Sequence, residues 1–154
     1  MDKQKKSGFT IVELLVVIVI IGILAAITIV SYTGITAKAN TAKAQSNAQT
    51  VQQVVEVMAT DNSGVYPATA AAINTYSGTT KVPAGITVVP GGTAVNAANG
   101  LTSVSYACVA TTTTGPCLGT GGKITYWDFT GAGSNVIVYV GVGSSTSVYF
   151  NPTT

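Results

Sequence analysis

Polar residues are spread so unevenly along this chain that they divide it into parts. Residues 9–30 are apolar apart from Glu13 and two threonines. At a helical rise of 1.5 Å per residue they cover about 33 Å, enough to cross a bilayer. The next stretch, "TAKANTAKAQSNAQTVQQVVEVMATDNSG", changes pattern. Here the apolar residues Val51, Val54, Val55 and Met58 keep i, i+3, i+4, i+7 spacing among Ala, Gln and Lys. That spacing predicts a helix with one apolar stripe that must pack on something. Asp61, Asn62 and Gly64 predict its end, so one helix is expected from Phe9 to about Thr60, about 75–80 Å long.

Beyond it the pattern shortens. A Gly/Thr/Ala-rich stretch reaching about Gly100 suggests a short helix at "PATAAAINTY" and a strand at "GITVVP". The C-terminal third alternates more clearly, with "SVSYACVA", "KITYWDFT", "NVIVYVGVG" and "SVYFN" rich in β-branched and aromatic residues between Gly-rich turns. These read as an antiparallel sheet with one face on the Val51–Met58 stripe. Tyr126, Trp127, Tyr139 and Tyr149 are expected as sheet core and cross-strand pairs. The fold class is therefore α+β, a long N-terminal helix packed against a C-terminal antiparallel sheet.

Composition narrows the functional classes. Of 154 residues only 8% are charged, and there is neither His nor Arg, which removes imidazole chemistry and bidentate phosphate clamps. The acids outside the long helix are too few to pair, and a Ser or Cys nucleophile would lack a general base, so an enzyme is not expected. No metal-ligand spacing occurs, and neither cofactor nor metal is expected. The net charge of +2 comes from the first eight residues, where Lys3, Lys5 and Lys6 outweigh Asp2. No nucleic-acid footprint is left over, and the two lysines of the sheet region, Lys81 and Lys123, argue against a DNA receptor.

The flanks of the apolar run carry the specific signal. A basic leader ends at Gly8, the run opens with Phe9, and an acid follows at Glu13 in "KKSGFTIVELLVVIVIIGILAAI". A carboxylate in hydrocarbon is costly unless neutralised or paired, so Glu13 calls for a partner. This segment resembles the type IV pilin family, in which a prepilin peptidase cuts between a glycine and an N-methylated aromatic. The resemblance implies cleavage between Gly8 and Phe9, N-methylation of Phe9, and pairing of Glu13 with the new amine of Phe9 on an adjacent subunit. "NSGVYPAT" is similar to the turn that often follows the long helix in pilins and pseudopilins. No proline interrupts the helix, and Gly22 and Gly34 are the places where it could unwind.

The resemblance further implies four segments. Residues 1–8 are a leader, 9–30 a transmembrane and filament-core helix, 31–62 its amphipathic continuation, and 63–154 a globular sheet domain. It implies a homopolymeric filament, with the prepilin peptidase, an assembly ATPase and a platform membrane protein as partners. The precursor would sit once through the cytoplasmic membrane and the product on the cell surface as a pilus, serving adhesion, motility or DNA uptake. The alternative is a pseudopilin of a type II secretion or competence system, or a minor pilin. Secretion pseudopilins typically hold calcium with C-terminal acids, and Asp128 is the only acid there.

Two further expectations concern side chains. Cys108 and Cys117 enclose a short loop outside the membrane and are expected as a disulfide, the alternative being two buried thiols. The loop's "TTTTG" is either a solvated turn or an O-glycan acceptor. Lys38 and Glu56 are separated by the same five helical turns as Lys43 and Asp61, about 27 Å. One axial offset between parallel copies would set both lysines level with both acids, although four charges also fit a plain solvated stretch.

Overall fold

The computed structural model describes residues 8–112, 117–130, 135–144 and 146–149, without the side chains of Val30, Ser31 and Thr33. The leader residues 1–7, most of the "TTTTG" stretch, and the end of "SVYFN" lie outside the described residues. The chain forms two compact units, residues 1–36 and 37–154. Helix α1, Ile11–Asp61, begins in the first and ends in the second, and is helical through both Gly22 and Gly34.

In the first unit the helix is apolar on every side. All its described large aliphatic side chains up to Ile29 are exposed, as is Phe9 at 87%. It is long and apolar enough to cross a membrane.

In the second unit α1 lies on a sheet. Ala44, Ala48, Val51, Val54 and Val55 have no exposed surface, and Met58 packs beside them half-buried. The stripe runs two turns further toward the N-terminus than the valines alone suggest. Ala44 and Ala48 extend it. The helix stops in a Schellman arrangement: the Gly64 amide donates to the Ala59 carbonyl at 2.7 Å, with Ser63 left-handed at φ 55°.

Among the described residues four strands follow the short helix α2, Ala70–Thr75, whose N-cap is the Thr69 hydroxyl. They are β1 (Thr87–Pro90), β2 (Ser103–Ala110), β3 (Cys117–Trp127) and β4 (Asn135–Gly141), in the order β1-β2-β3-β4. The β2–β3 and β3–β4 pairs are antiparallel, in line with the sequence. The β1–β2 pair is parallel, so the whole sheet is mixed. Parallel strands need a crossover of about a dozen residues, and residues 91–102 supply one. Asparagines stiffen that crossover: the Asn96 and Ala98 amides donate to Asn99 Oδ1 and Asn96 Oδ1 at 2.8 and 2.9 Å.

Val88, Val104, Tyr106, Ile124, Tyr126 and Val140 cover the α1 stripe. Tyr106 reaches through this core to donate to the Pro67 carbonyl at 2.8 Å. Gly122 has to be small, since a Cβ there would lie 2.7 Å from the Ala107 carbonyl. The described part of "SVYFN", residues 147–149, forms no fifth strand. Its Tyr149 makes an isolated bridge to Val109, and its hydroxyl both accepts from the Ser144 amide and donates to the Ser144 carbonyl, each at 2.7 Å. The Tyr149 ring stacks on Tyr139 at 6.2 Å and carries the Lys123 ammonium at 4.8 Å from its centroid.

Candidate assembly site

The candidate functional residues fall in three places: the start of α1, its second half, and the cysteine loop. At the start, Thr10 and Glu13 form a capping box. The Thr10 hydroxyl accepts from the Glu13 amide at 3.3 Å. Glu13 Oε2 accepts from the Thr10 amide and from the Thr10 hydroxyl, both at 2.8 Å. A helix leaves its first amides without partners, and this exchange satisfies two of them. The Glu13 carboxylate is therefore already oriented one residue from Phe9, the residue a cut after Gly8 would make N-terminal. Neutral donors orient it without cancelling its charge. Sequence patterning left Thr10 without a role of its own, although "TIVE" is a capping-box pattern in plain view.

At the other end, each acid of α1 has a tyrosine. Tyr66 donates to Glu56 Oε2 at 2.6 Å, and Tyr76 donates to Asp61 Oδ2. The bond to Glu56 pushes the Tyr66 phenol up to about 12, and the bond to Asp61 raises that of Tyr76, so both stay protonated as donors. Neither pair is visible in the sequence, because both bridge the turn that follows α1.

The two matched spacings cannot both serve one neighbour. Lys38 and Lys43 are five residues apart, which turns them about 140° around the helix, and the same holds for Glu56 and Asp61. Only one pair can face a given adjacent helix. Lys38 and Lys43 are both exposed; Glu56 is half-buried and Asp61 exposed.

Asp128 fastens the sheet to α1. Its Oδ1 accepts from the Thr41 hydroxyl at 2.8 Å, from the Thr130 amide at 2.8 Å and from the Thr130 hydroxyl at 2.6 Å. The Phe129 amide returns a bond to Thr41 Oγ1 at 2.8 Å. These donors, Thr130 first, hold the Asp128 carboxyl below its ordinary range. Cys108 and Cys117 are joined as a disulfide with Cα atoms 5.7 Å apart, tying β2 to the start of β3. No cluster of three potential metal ligands occurs among the described residues.

Comparison with known proteins bears on the first of these places. Residues 3–29 match the model of the prokaryotic N-terminal methylation motif. The N-terminal segment of the chain is therefore type IV pilin-like. It is 39% identical over 69 residues to the type II secretion system core protein G of Aeromonas hydrophila, covering 45% of this chain and 48% of that protein. It is 38% identical over 66 residues to the type II secretion system core protein G of Vibrio cholerae, covering 43% and 44%. The chain spans about half the length of the curated relatives it matches. No solved structure matches.

Proposed function

We propose that the chain is a structural subunit of a helical filament, in the role of a pseudopilin. The observation that carries this reading is a coincidence of two stretches. The matched methylation motif, residues 3–29, covers the part of α1 whose described side chains are exposed on all sides. An apolar helix without a core of its own needs lipid first and other apolar helices afterwards. Cleavage after Gly8 would create a cation at Phe9, and the capping box holds Glu13 ready for it. Pairing with a neighbour's amine would set the register of packing, while apolar contact supplies the cohesion.

Lipid already solvates the helix, so withdrawing it needs work, which implies an assembly ATPase and a platform membrane protein. The relatives favour the pseudopilin role, a short fibre confined to the cell envelope. A surface pilus is the second reading. It is favoured by Asp128 being the only acid after Asp61, which leaves little for an acid-built calcium site.

Mass spectrometry of the purified mature chain tests processing: loss of residues 1–8 and a methyl group on Phe9 are expected, and retention of the leader overturns it. Electron microscopy of sheared surface material separates the two roles. Long fibres dominated by this chain would establish the pilus and exclude the envelope-confined pseudopilin.

A further inference from the structure

The end of α1 offers a surface that the filament reading leaves unassigned. Met58, Asp61, Val65, Tyr66, Pro67 and Tyr76 line an open groove of about 400 Å³. Its walls are largely apolar, and the Asp61 carboxylate lies on it, held by the Tyr76 hydroxyl. A carboxylate has lone pairs for several donors, so one tyrosine leaves capacity for a cation. Because the acid is already ordered, a partner loses less conformational freedom in reaching it.

We propose that this groove seats Lys43 of a second copy of the chain. The inference rests on the filament reading and adds to it a specific contact between globular units. Charge complementarity selects the occupant. Lys43 is exposed, and beside it on α1 the exposed residues Ala39, Ala42 and Ser46 are small enough for another molecule to come close. Of the other described lysines, Lys123 is engaged with the Tyr149 ring, Lys38 points about 140° away from Lys43, and Lys81, though exposed, lies off α1 and lacks the five-turn spacing that Lys43 has to Asp61.

Geometry then fixes how the copies are related. Lys43 and Asp61 are five full turns apart, so they project from the same side of their helix. Copies related by translation alone would point both groups the same way. The contact needs a shift of about 27 Å together with a rotation about the long axis, which is a screw operation. It is also heterologous: the first copy's Asp61 is used, while its Lys43 remains available to a third copy. A heterologous contact that does not close on itself propagates into a fibre.

Cross-linking tests the contact with both charges in place. Ala42→Cys beside Lys43 and Asn62→Cys beside Asp61 are introduced together, and cell membranes are treated with a short bismaleimide. A linker is used because a direct disulfide cannot span Cα separations above about 7 Å. A ladder extending beyond dimers is expected from the double variant, with no ladder from either single. Dimers from a single variant would mean a two-fold contact and overturn the proposal, as would a cross-link to a different protein. Absence of the ladder also overturns it. Micrographs of the unsubstituted chain then tell whether the filament reading falls as well, since fibres without a ladder sink only the contact. Charge exchange supplies a second readout. Lys43→Glu and Asp61→Lys should each lower fibre yield at least about tenfold, and the double exchange should restore it to within about threefold. Failure of rescue, with the Lys43→Glu chain folded, counts against the contact.

Discussion

Two stretches of one helix show what an apolar residue means in different company. Residues 11–29 and residues 44–59 of α1 are both helical, and both carry β-branched aliphatics. In the first stretch every described large side chain is exposed; in the second Val51, Val54 and Val55 have no exposed surface. The first is apolar all round, so no single sheet could cover it. The second confines its valines to one stripe, and a sheet covers that stripe. Both the amount of hydrophobicity and its distribution around the helix separate them: four glutamines, Ser46, Asn47, Thr50 and Glu56 interrupt the second stretch, while the first is nearly continuous. The same substitution should therefore have opposite consequences in the two places.

Aspartate makes the sharpest test. Val54→Asp would bury a charge in the apolar cluster shared by α1 and the sheet and should cost about 4 kcal/mol or more. Urea unfolding of the full chain in detergent, followed by Trp127 fluorescence, should show the loss as a lower midpoint. Val17→Asp should leave that midpoint unchanged and instead lower the fraction of chain recovered in membranes. Equal loss of folding from both would erase the distinction between the stretches.

Glu13 is the acid that the apolar stretch already carries, and removing it should affect assembly alone. Glu13→Val makes the segment more apolar, so insertion and cleavage should persist. An assembled fibre would then bury the Phe9 ammonium without its partner, a loss of about 3 kcal/mol, or roughly a hundredfold in fibre yield. Undiminished fibres, counted by microscopy against total membrane-bound chain, would contradict the assigned role.

Distribution also explains what could be read from the sequence. The Val51–Met58 stripe, the end of α1 and the antiparallel β2–β3–β4 order follow from local spacing and turns. Ala44 and Ala48 escaped because alanine is equally at home on an exposed helix face, so its burial is decided by the sheet. Parallel pairing of β1 escaped because it depends on where a crossover of about a dozen residues returns the chain. Tyr149 is alternating and aromatic like a strand residue, yet it bridges Val109 singly and bonds to Ser144. At the start of α1 the methylation motif was legible, and so was the Thr10–Glu13 cap to anyone counting three residues. The Tyr66–Glu56 and Tyr76–Asp61 bonds were not, because nothing local ties a tyrosine to an acid ten or fifteen residues back.

The disulfide tests the buried stretch from the sheet side. Cys108 belongs to the core that covers α1, and the bridge closes a loop with a sequence separation of 9. The chain-entropy estimate for so short a loop is about 2–3 kcal/mol. Replacing both cysteines by alanine should lower the urea midpoint accordingly while the membrane-recovered fraction stays the same. Labelling of native, unreduced chain by a thiol reagent would instead deny the bridge.

The smallest effect is expected where the sheet is fastened to α1 at Thr41, on the side of the buried stretch nearer the apolar one. Asp128 accepts from the Thr130 hydroxyl and amide and from Thr41, and these bonds favour its charged form. Its folded carboxyl thus titrates below the ordinary 3.8 that it would show in the unfolded chain. The resulting stability is fully present above the unfolded value and is lost as pH falls through the folded one, because the folded state takes up its proton last. Between neutral pH and about 5 the contribution should be constant, and it should decline as the solution is acidified from about 4 downward. Asp128→Asn should remove that acid limb. Urea midpoints of the variant should run closer to flat below about pH 4 than those of the unsubstituted chain, with the two curves parallel at neutral pH. Thr41→Val separates charge from fastening. It deletes one donor to Asp128 and the acceptor of the Phe129 amide, so it should lower stability at every pH and shrink the acid limb only in part. An acid limb of full size in Asp128→Asn would place the titrating group elsewhere in the chain.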